Sequence, residues 1–349
     1  MPGDADVCAH HDRGDGVITA CRRGVEVLGV GSFAPARVVT NDELATRVET
    51  SDEWIASRTG IRERRIAADD QSAAALGYEA ARQALEMSGI DPANLGLIVV
   101  ATSTPDYYFP ATATLIGEQL GATGVAGYDL SAACTGFVFA LAQAYGHVAS
   151  GSADTVLVVG SEVFSRLLDW DDRSTCVLFG DGAGAVVLGG SGSTGGLLGF
   201  ELGSNGAGGD LLKVAAVGHA RNPMAGPYLT MDGPQVYKFA TTVSVESAGR
   251  VLDAIGMTVA DVDVFVPHQA NLRIIEHAAR RLGIPPEKVV SNVDRYGNTS
   301  AASIPICLEE AHRLGRIRPG DIVLMVGFGG GLSWGSCVME WTTPLKERG

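Results

Sequence analysis

The sequence predicts an α/β protein made of two similar halves. Three observations carry that expectation: short β-rich runs alternate with Ala-rich helical stretches, two separate segments repeat at one common offset, and 349 residues exceed what a single hydrophobic core usually holds.

The alternation starts after residue 23. Val25–Val30, Leu97–Ala101, Gly124–Leu130 and Thr155–Val159 read as strands, and Ala73–Met87 and Thr135–Val148 as helices. Strands that are apolar almost throughout, separated by helices, imply sheets covered on both faces. The repeat places Asp154-Thr-Val-Leu-Val-Val-Gly160 on Asp321-Ile-Val-Leu-Met-Val-Gly327 at an offset of 167, with five identities in seven positions. The same offset places Gly89–Val99 on Gly256–Val266, a helix end leading into a buried strand. Further on, Phe179-Gly-Asp-Gly-Ala-Gly184 matches Phe328-Gly-Gly-Gly-Leu-Ser333 at an offset of 149, so the first half carries 18 extra residues within Ser161–Leu178. The halves are residues 24–195 and 196–349, preceded by a polar segment, 1–23, that reads as a flexible extension.

Composition narrows the function. With 26 basic against 40 acidic residues the net charge is −14, which disfavours a broad nucleic-acid or anionic-membrane surface. Six cysteines (8, 21, 134, 176, 307, 337) show no zinc-like spacing, and Cys8, His10, His11 and Cys21 resemble no tetrahedral ligand set. The first residues are too polar for a signal peptide, and no apolar run approaches the ~20 residues that cross a bilayer. A reducing, cytoplasmic setting with no membrane and no metal is the expectation.

Three residues stand out for chemistry. Cys134 follows the strand-like Tyr128–Leu130 and opens a helix, where the positive helix end favours a nucleophilic thiolate; a small buried core thiol is the alternative. Cys176, Cys307 and Cys337 lie inside apparent strands or helices and read as core thiols. His268, in Phe265-Val-Pro-His-Gln-Ala-Asn-Leu272, sits where a buried strand gives way to a helix, placed either to trade protons and support an oxyanion or to cap the structure. Asn298, in Tyr296-Gly-Asn-Thr-Ser-Ala-Ala302, is an N-cap or an uncharged oxyanion donor. The 167 offset superposes Ala101 on His268 and Ser131-Ala-Ala-Cys134 on Asn298-Thr-Ser-Ala301, so all three fall just beyond strand ends or at helix starts on equivalent sides of the two halves, and α/β sheets gather ligands at the carboxyl ends of their strands. One Cys with a distant His and Asn suits covalent acyl transfer. Gly327-Phe-Gly-Gly-Gly331 adds amides that serve as a hairpin, as oxyanion donors, or as both. Gly180-Asp-Gly-Ala-Gly184 leads into a strand and is no nucleotide fingerprint. On the helix after His268, Leu272, Ile275, Ala279 and Leu282 form an apolar stripe opposite Arg273, His277, Arg280 and Arg281, a cationic strip suited either to solvent or to an acidic partner.

With these residues in place, the chain from about 24 to 342 resembles the β-ketoacyl-acyl carrier protein synthase III family, condensing enzymes of thiolase-like fold. The motifs are Ser51-Asp-Glu-Trp-Ile55, Arg58-Thr-Gly-Ile-Arg-Glu-Arg64, Asp129-Leu-Ser-Ala-Ala-Cys-Thr-Gly-Phe137, Phe179-Gly-Asp-Gly-Ala-Gly184, Val266-Pro-His-Gln-Ala-Asn-Leu-Arg-Ile274, Gly297-Asn-Thr-Ser-Ala-Ala-Ser303 and Gly327-Phe-Gly-Gly-Gly-Leu-Ser-Trp-Gly335. The resemblance implies a five-layered αβαβα arrangement and a decarboxylative Claisen condensation. Cys134 takes an acyl group from acyl-CoA, and malonyl-acyl carrier protein supplies the carbanion. CoA and phosphopantetheine thioesters are substrates, and no cofactor is needed. It further implies that Cys134, His268 and Asn298 are catalytic, that the Gly330 amide and Phe328 support them, and that Trp54, Arg58 and Arg173 contact CoA. Arg273, Lys238, Arg280 and Arg281 match a carrier-protein face. Phe109 matches a residue closing the acyl pocket across a homodimer. The alternative is a relative that passes the acyl group to a hydroxyl or amine.

Overall fold

Two five-stranded sheets organise the computed structural model, which describes residues 16–19, 24–191, 195–216 and 228–344. The strands are β1 (Val17–Thr19), β2 (Gly24–Phe33), β3 (Arg37–Thr40), β4 (Glu63–Ile66), β5 (Leu97–Ala101), β6 (Ala126–Leu130), β7 (Thr155–Val163), β8 (Asp181–Ser191), β9 (Leu197–Ser204), β10 (Leu212–Lys213), β11 (Thr230–Met231), β12 (Val264–Pro267), β13 (Ile322–Gly329) and β14 (Ser333–Glu340). The helices are α1 (Asn41–Ala45), α2 (Asp52–Thr59), α3 (Ala73–Ser88), α4 (Thr112–Leu120), α5 (Gly136–Ser150), α6 (Arg173–Cys176), α7 (Gly233–Ala254), α8 (Leu272–Leu282), α9 (Val293–Tyr296) and α10 (Ser303–Arg313).

The first sheet runs β2-β8-β7-β5-β6 and the second β1-β9-β14-β13-β12. In the first, β5 is parallel to β7 and β6, whereas β7, β8 and β2 alternate in direction. In the second, β12 is parallel to β13, whereas β13, β14 and β9 alternate. β5, β7, β8 and β2 therefore correspond to β12, β13, β14 and β9. The counterpart of β6 is reduced to a parallel bridge between Phe265 and Val289.

Side-chain alternation along the strands sorts the core into layers. Ile98, Val100, Leu157 and Val187 face outward to Leu76, Ala80 and Ala84 of α3 and Ile116 of α4. Val99, Val158 and Val186 face inward, where Phe137 and Leu141 of α5 and Ile304 and Leu308 of α10 also meet Val323 and Met325 of the second sheet. On its far side the second sheet turns Phe265, Leu324 and Val338 toward Val251 and Leu252 of α7 and Ala278 of α8. The result is the αβαβα stack of the thiolase-like fold.

The duplication extends to backbone strain. Ala133 and Ser300, 167 positions apart, have φ of 47° and 49°, a left-handed conformation that non-glycine residues rarely adopt. Each opens a short 3-10 turn, Ala133–Thr135 or Ser300–Ala302, that runs directly into a middle-layer helix. These turns pack against each other, the first also against β13 and the second against β7, where a Cβ on Gly160 would lie 2.4 Å from the Ala301 carbonyl oxygen. Both sides of that contact are backbone, so Gly160→Ala should destabilise the protein by about 3 kcal/mol, at the top of the usual overpacking range, read as a fall in Tm.

Two sequence expectations are corrected. Val17–Thr19, assigned to a flexible extension, form a strand, because their backbone groups pair antiparallel with Gly199–Glu201 at the open edge of the second sheet. Residues 1–15 and 20–23, with Cys8, His10, His11 and Cys21, lie outside the described residues. The first-half insertion starts later than Ser161, since β7 continues to Val163 and pairs with β8 throughout. Residues 164–180 then form a 3-10 turn and α6, where β13 and β14 are joined by the tight turn 330–332.

Candidate active site

Cys134 lies in the 3-10 turn before α5, held from both sides. Asp129, at the end of β6, accepts from the Thr112 and Ala113 amides at 2.7 and 2.9 Å, which fixes the strand end ahead of the turn. Across the halves, Thr135 Oγ1 and Ser333 Oγ are 2.8 Å apart, tying the turn to β14. A Cβ on Gly329 would sit 2.9 Å from the Cys134 Cβ, so the end of β13 passes beside the nucleophile only because it has no side chain there. Cys134 is only 5% exposed, yet it borders two cavities of about 620 and 170 Å3.

The smaller cavity brings together the residues that the sequence scattered. Cys134, His268, Asn298 and Phe328 all line it. His268 follows β12 and is 1% exposed, with its ring edge-on to Phe328 at 5.2 Å. Ser303 Oγ, on the first turn of α10, accepts from the Gln269 amide at 3.3 Å and lies 2.5 Å from His268 Nδ1. No other acceptor for this hydroxyl is found among the described residues, so it donates to Nδ1 and leaves the ring hydrogen on Nε2. Asn298 is clamped between Leu178 and Gly180 by backbone bonds of 2.8 and 3.0 Å. Its Oδ1 accepts from the Ser300 amide at 2.8 Å, which turns the amide NH2 away as a donor. Imidazole and carboxamide thus each offer an uncharged N–H.

Electrostatics reinforces that neutrality. Burial drives the His268 imidazolium down to about 3, so the ring stays neutral under ordinary conditions. Burial likewise pushes the Cys134 thiol up to about 12, with the nearby Glu162 charge adding to the rise and the Ser300 hydroxyl opposing it. The expectation of a resting thiolate is therefore corrected: in this enclosed position desolvation outweighs the helix end. Cys176, Cys307 and Cys337 are buried, and burial raises all three thiols. Among the described residues no three His, Cys, Asp or Glu side chains are placed to share a metal ion.

The outer residues divide by location. Gly330 lines the larger cavity beside Ser131–Cys134, in the turn after β13. Arg58 and Arg173 lie over the Trp54 ring at 4.6 and 4.9 Å, so these three form one cluster. It adjoins the smaller cavity, because the Arg58 carbonyl accepts from Nδ2 of Asn271 at 3.2 Å and Asn271 is in the cavity wall. On α8, Arg273, Arg280 and Arg281 are exposed, and Arg273 lies 5.5 Å from the Tyr237 ring, which also lines the cavity. The buried face of α8 is Ile274, Ile275, Ala278 and Ala279, broader than the stripe read from the sequence, because α7 and the α2 region cover it from two sides. Lys238 is exposed on α7 and borders a separate surface groove with Arg250 and Trp334. Phe109 is 85% exposed and lines neither cavity of its own chain; Tyr107 and Tyr108 beside it are exposed too. Sequence reasoning missed Glu162, Ser300 and Ser303. The signal for Ser300 was its 167-residue offset from Ala133, and for Glu162 a lone carboxylate closing the apolar run of β7.

Comparison with known proteins gives concordant matches. The family described as 3-Oxoacyl-[acyl-carrier-protein (ACP)] synthase III matches residues 128–206, and its C-terminal family matches 252–341. Curated relatives called Beta-ketoacyl-[acyl-carrier-protein] synthase III include one from Desulfitobacterium hafniense, 49% identical across 91% of this chain and 98% of that protein. Another, from Laribacter hongkongensis, is 50% identical across 90% and 98%. Among solved structures, the 3-oxoacyl-[acyl-carrier-protein] synthase III of Aquifex aeolicus is 44% identical with a TM-score of 0.87, covering 91% of this chain and all of that one. A priming β-ketosynthase from a polyketide biosynthetic pathway is 42% identical with a TM-score of 0.88, covering 93% and 98%.

Proposed function

The chain belongs to the 3-oxoacyl-[acyl-carrier-protein] synthase III family, and from that membership we propose that it condenses an acyl-CoA primer with malonyl-acyl carrier protein through an acyl-Cys134 intermediate, the reaction that initiates fatty acid or polyketide chains. The observation that supports this best is the meeting of one thiol and two neutral N–H donors at a single cavity.

The Cys134 sulfur attacks the thioester carbonyl, whose oxygen is stabilised by the amides of Cys134 and Gly330, and CoA leaves. The acyl chain occupies the 620 Å3 cavity, whose apolar wall includes Phe164, Phe179, Leu212 and Leu229. The malonyl thioester then enters the smaller cavity. His268 Nε2–H and Asn298 Nδ2–H donate to its thioester oxygen, which becomes an enolate oxygen as CO2 departs. Phe328 presents an apolar edge that disfavours the malonyl carboxylate and so promotes its loss. The enolate carbon attacks the acyl thioester and Cys134 is released. Decarboxylation generates the carbanion, so the step calls for no metal or redox cofactor.

Trp54 with Arg58 and Arg173 suits the stacked, phosphorylated adenine of CoA. Arg273, Arg280, Arg281 and Lys238 make no ion pair among the described residues and face solvent, with Arg273 beside Tyr237 of the smaller cavity, which suits an acidic carrier protein. An exposed Phe109 flanked by tyrosines suits an interface with a second copy, which would close the acyl pocket. No helix among the described residues is long and apolar enough to span a membrane, and a cytoplasmic location accords with CoA and carrier-protein substrates.

The test is a primer panel with malonyl-carrier protein, reading acyl-enzyme, CO2 and released product by mass spectrometry. Formation of a β-ketoacyl carrier with stoichiometric CO2 supports the reading; acyl transfer to a hydroxyl or amine without CO2 replaces it with the acyltransferase alternative. Within the same assay, Arg273→Glu should raise KM for the malonyl carrier about tenfold while acyl-CoA loading stays unchanged. Equal loss in both half-reactions would remove Arg273 from the docking face.

A further inference from the structure

The condensing residues leave the thiol proton of Cys134 without an acceptor. His268 carries its hydrogen on Nε2, because Nδ1 is taken by the Ser303 hydroxyl, so the ring has no lone pair to offer the sulfur.

A different buried group is placed to receive it. Glu162, near the end of β7, is wholly buried. Its Oε2 accepts from Thr104 Oγ1 at 2.7 Å, the Ser103 amide at 3.0 Å and Thr102 Oγ1 at 3.4 Å. Among the described residues its Oε1 has no hydrogen-bond partner, and neither has the equally buried Ser300 Oγ. These two atoms are neighbours through a shared environment: the Ser300 hydroxyl lies close enough to Glu162 and to the Cys134 sulfur to favour the charged form of each, although it completes a hydrogen bond with neither. Unpaired buried oxygens are uncommon, and two beside a nucleophile call for a reason. Ser300 is one of the two strained non-glycine residues, and its turn packs against both β7, which carries Glu162, and the turn that carries Cys134. Glu162 is surrounded by Thr102, Ser103 and Thr104 after β5, Ser300 and Ala301 before α10, and Cys134 before α5; of these only Cys134 titrates. Burial in this setting lifts the carboxyl to about 7.

We propose that Glu162, acting through the Ser300 hydroxyl, takes up the Cys134 proton as the sulfur attacks the acyl-CoA thioester. As the S–C bond forms, the thiol proton passes to Ser300 Oγ and the Ser300 proton to Glu162 Oε1. When the adduct collapses, the bond from carbonyl carbon to the CoA sulfur breaks, and the CoA thiolate recovers a proton along the same hydroxyl. The products are acyl-Cys134 and CoA thiol, with the enzyme's proton count unchanged. Glu162 is a positioning and proton-holding residue here, since it reaches the reacting sulfur only through Ser300.

The inference rests on the acylation reading above, and one experiment separates the two. Acyl-enzyme formation is followed by rapid quench and intact mass against pH for the wild type, Glu162→Gln and Ser300→Ala, together with condensation from enzyme loaded in advance. The carboxylate is the base, so wild-type loading should fall as pH drops through about 7. Glu162→Gln should slow loading about 100-fold at neutral pH and flatten that limb, with Ser300→Ala behaving alike and condensation from loaded enzyme nearly unchanged. Should Glu162→Gln fold poorly, Ser300→Ala with an unaltered Tm carries the same comparison. A limb that persists in both variants, loading that becomes faster, or equal losses in both half-reactions overturns the relay. A wild type that never acylates at Cys134 overturns the acylation reading instead.

Discussion

Cys134→Ala removes acyl-enzyme formation altogether and lowers turnover by about 10^4-fold or more, because covalent capture of the primer has no second route. No other described cysteine substitutes for it: Cys176, Cys307 and Cys337 are buried with raised thiols and line neither cavity. The loss is chemical rather than structural. The side chain already borders two cavities, so trimming one sulfur leaves the turn, its strained Ala133 and its link to Ser333 in place. Tm should move by no more than a few degrees. Intact mass after incubation with acyl-CoA reads the outcome directly, and an acyl adduct of undiminished stoichiometry on the alanine variant refutes the assignment.

The large features of this fold were legible because they rest on repetition and period. The offset of 167 anticipated that β7 corresponds to β13, and it also relates two turns whose strain no residue type announces, those opened by Ala133 and Ser300. The buried run Leu97–Ala101 coincides with β5 to the residue. The trio was legible because each member stands where one element gives way to the next: Cys134 at the turn into α5, His268 just after β12 and Pro267, and Asn298 after Gly297 and before the turn into α10. What was hidden depends on contacts distant in sequence or on the orientation of a single bond. Which His268 nitrogen carries hydrogen is decided by Ser303, 35 residues away, and which end of the Asn298 amide faces the cavity is decided by a backbone N–H two residues on. The strand Val17–Thr19 was hidden for the same reason: three residues have no period, and their partner lies in β9. Glu162 was obscured by the strand around it, since a carboxylate ending an apolar run reads as surface until β5 and α10 are seen to bury it.

The donor geometry leads to the second large effect. Asn298→Ala should cut condensation about 10^2- to 10^3-fold, equivalent to roughly 3–4 kcal/mol of transition-state stabilisation, while acyl-CoA loading changes little. The asymmetry follows from position: the Asn298 amide is aimed by Ser300 N–H into the cavity shared with His268, where charge develops on the malonyl thioester oxygen rather than on the primer carbonyl. His268→Ala should behave similarly and additionally expose the edge of Phe328. Because burial holds the imidazolium near 3, the ring is protonated only below that value and remains a neutral donor as pH rises. Condensation from preloaded enzyme should therefore show no imidazole ionisation across the neutral range, in contrast to the loading step, which bends with Glu162. Single-turnover CO2 release from preloaded enzyme, measured against pH for the wild type and both alanine variants, separates these half-reactions. A bend near the ordinary imidazole value, abolished by His268→Ala, would mean that the ring works as a proton acceptor and that the Ser303 hydroxyl does not hold its tautomer.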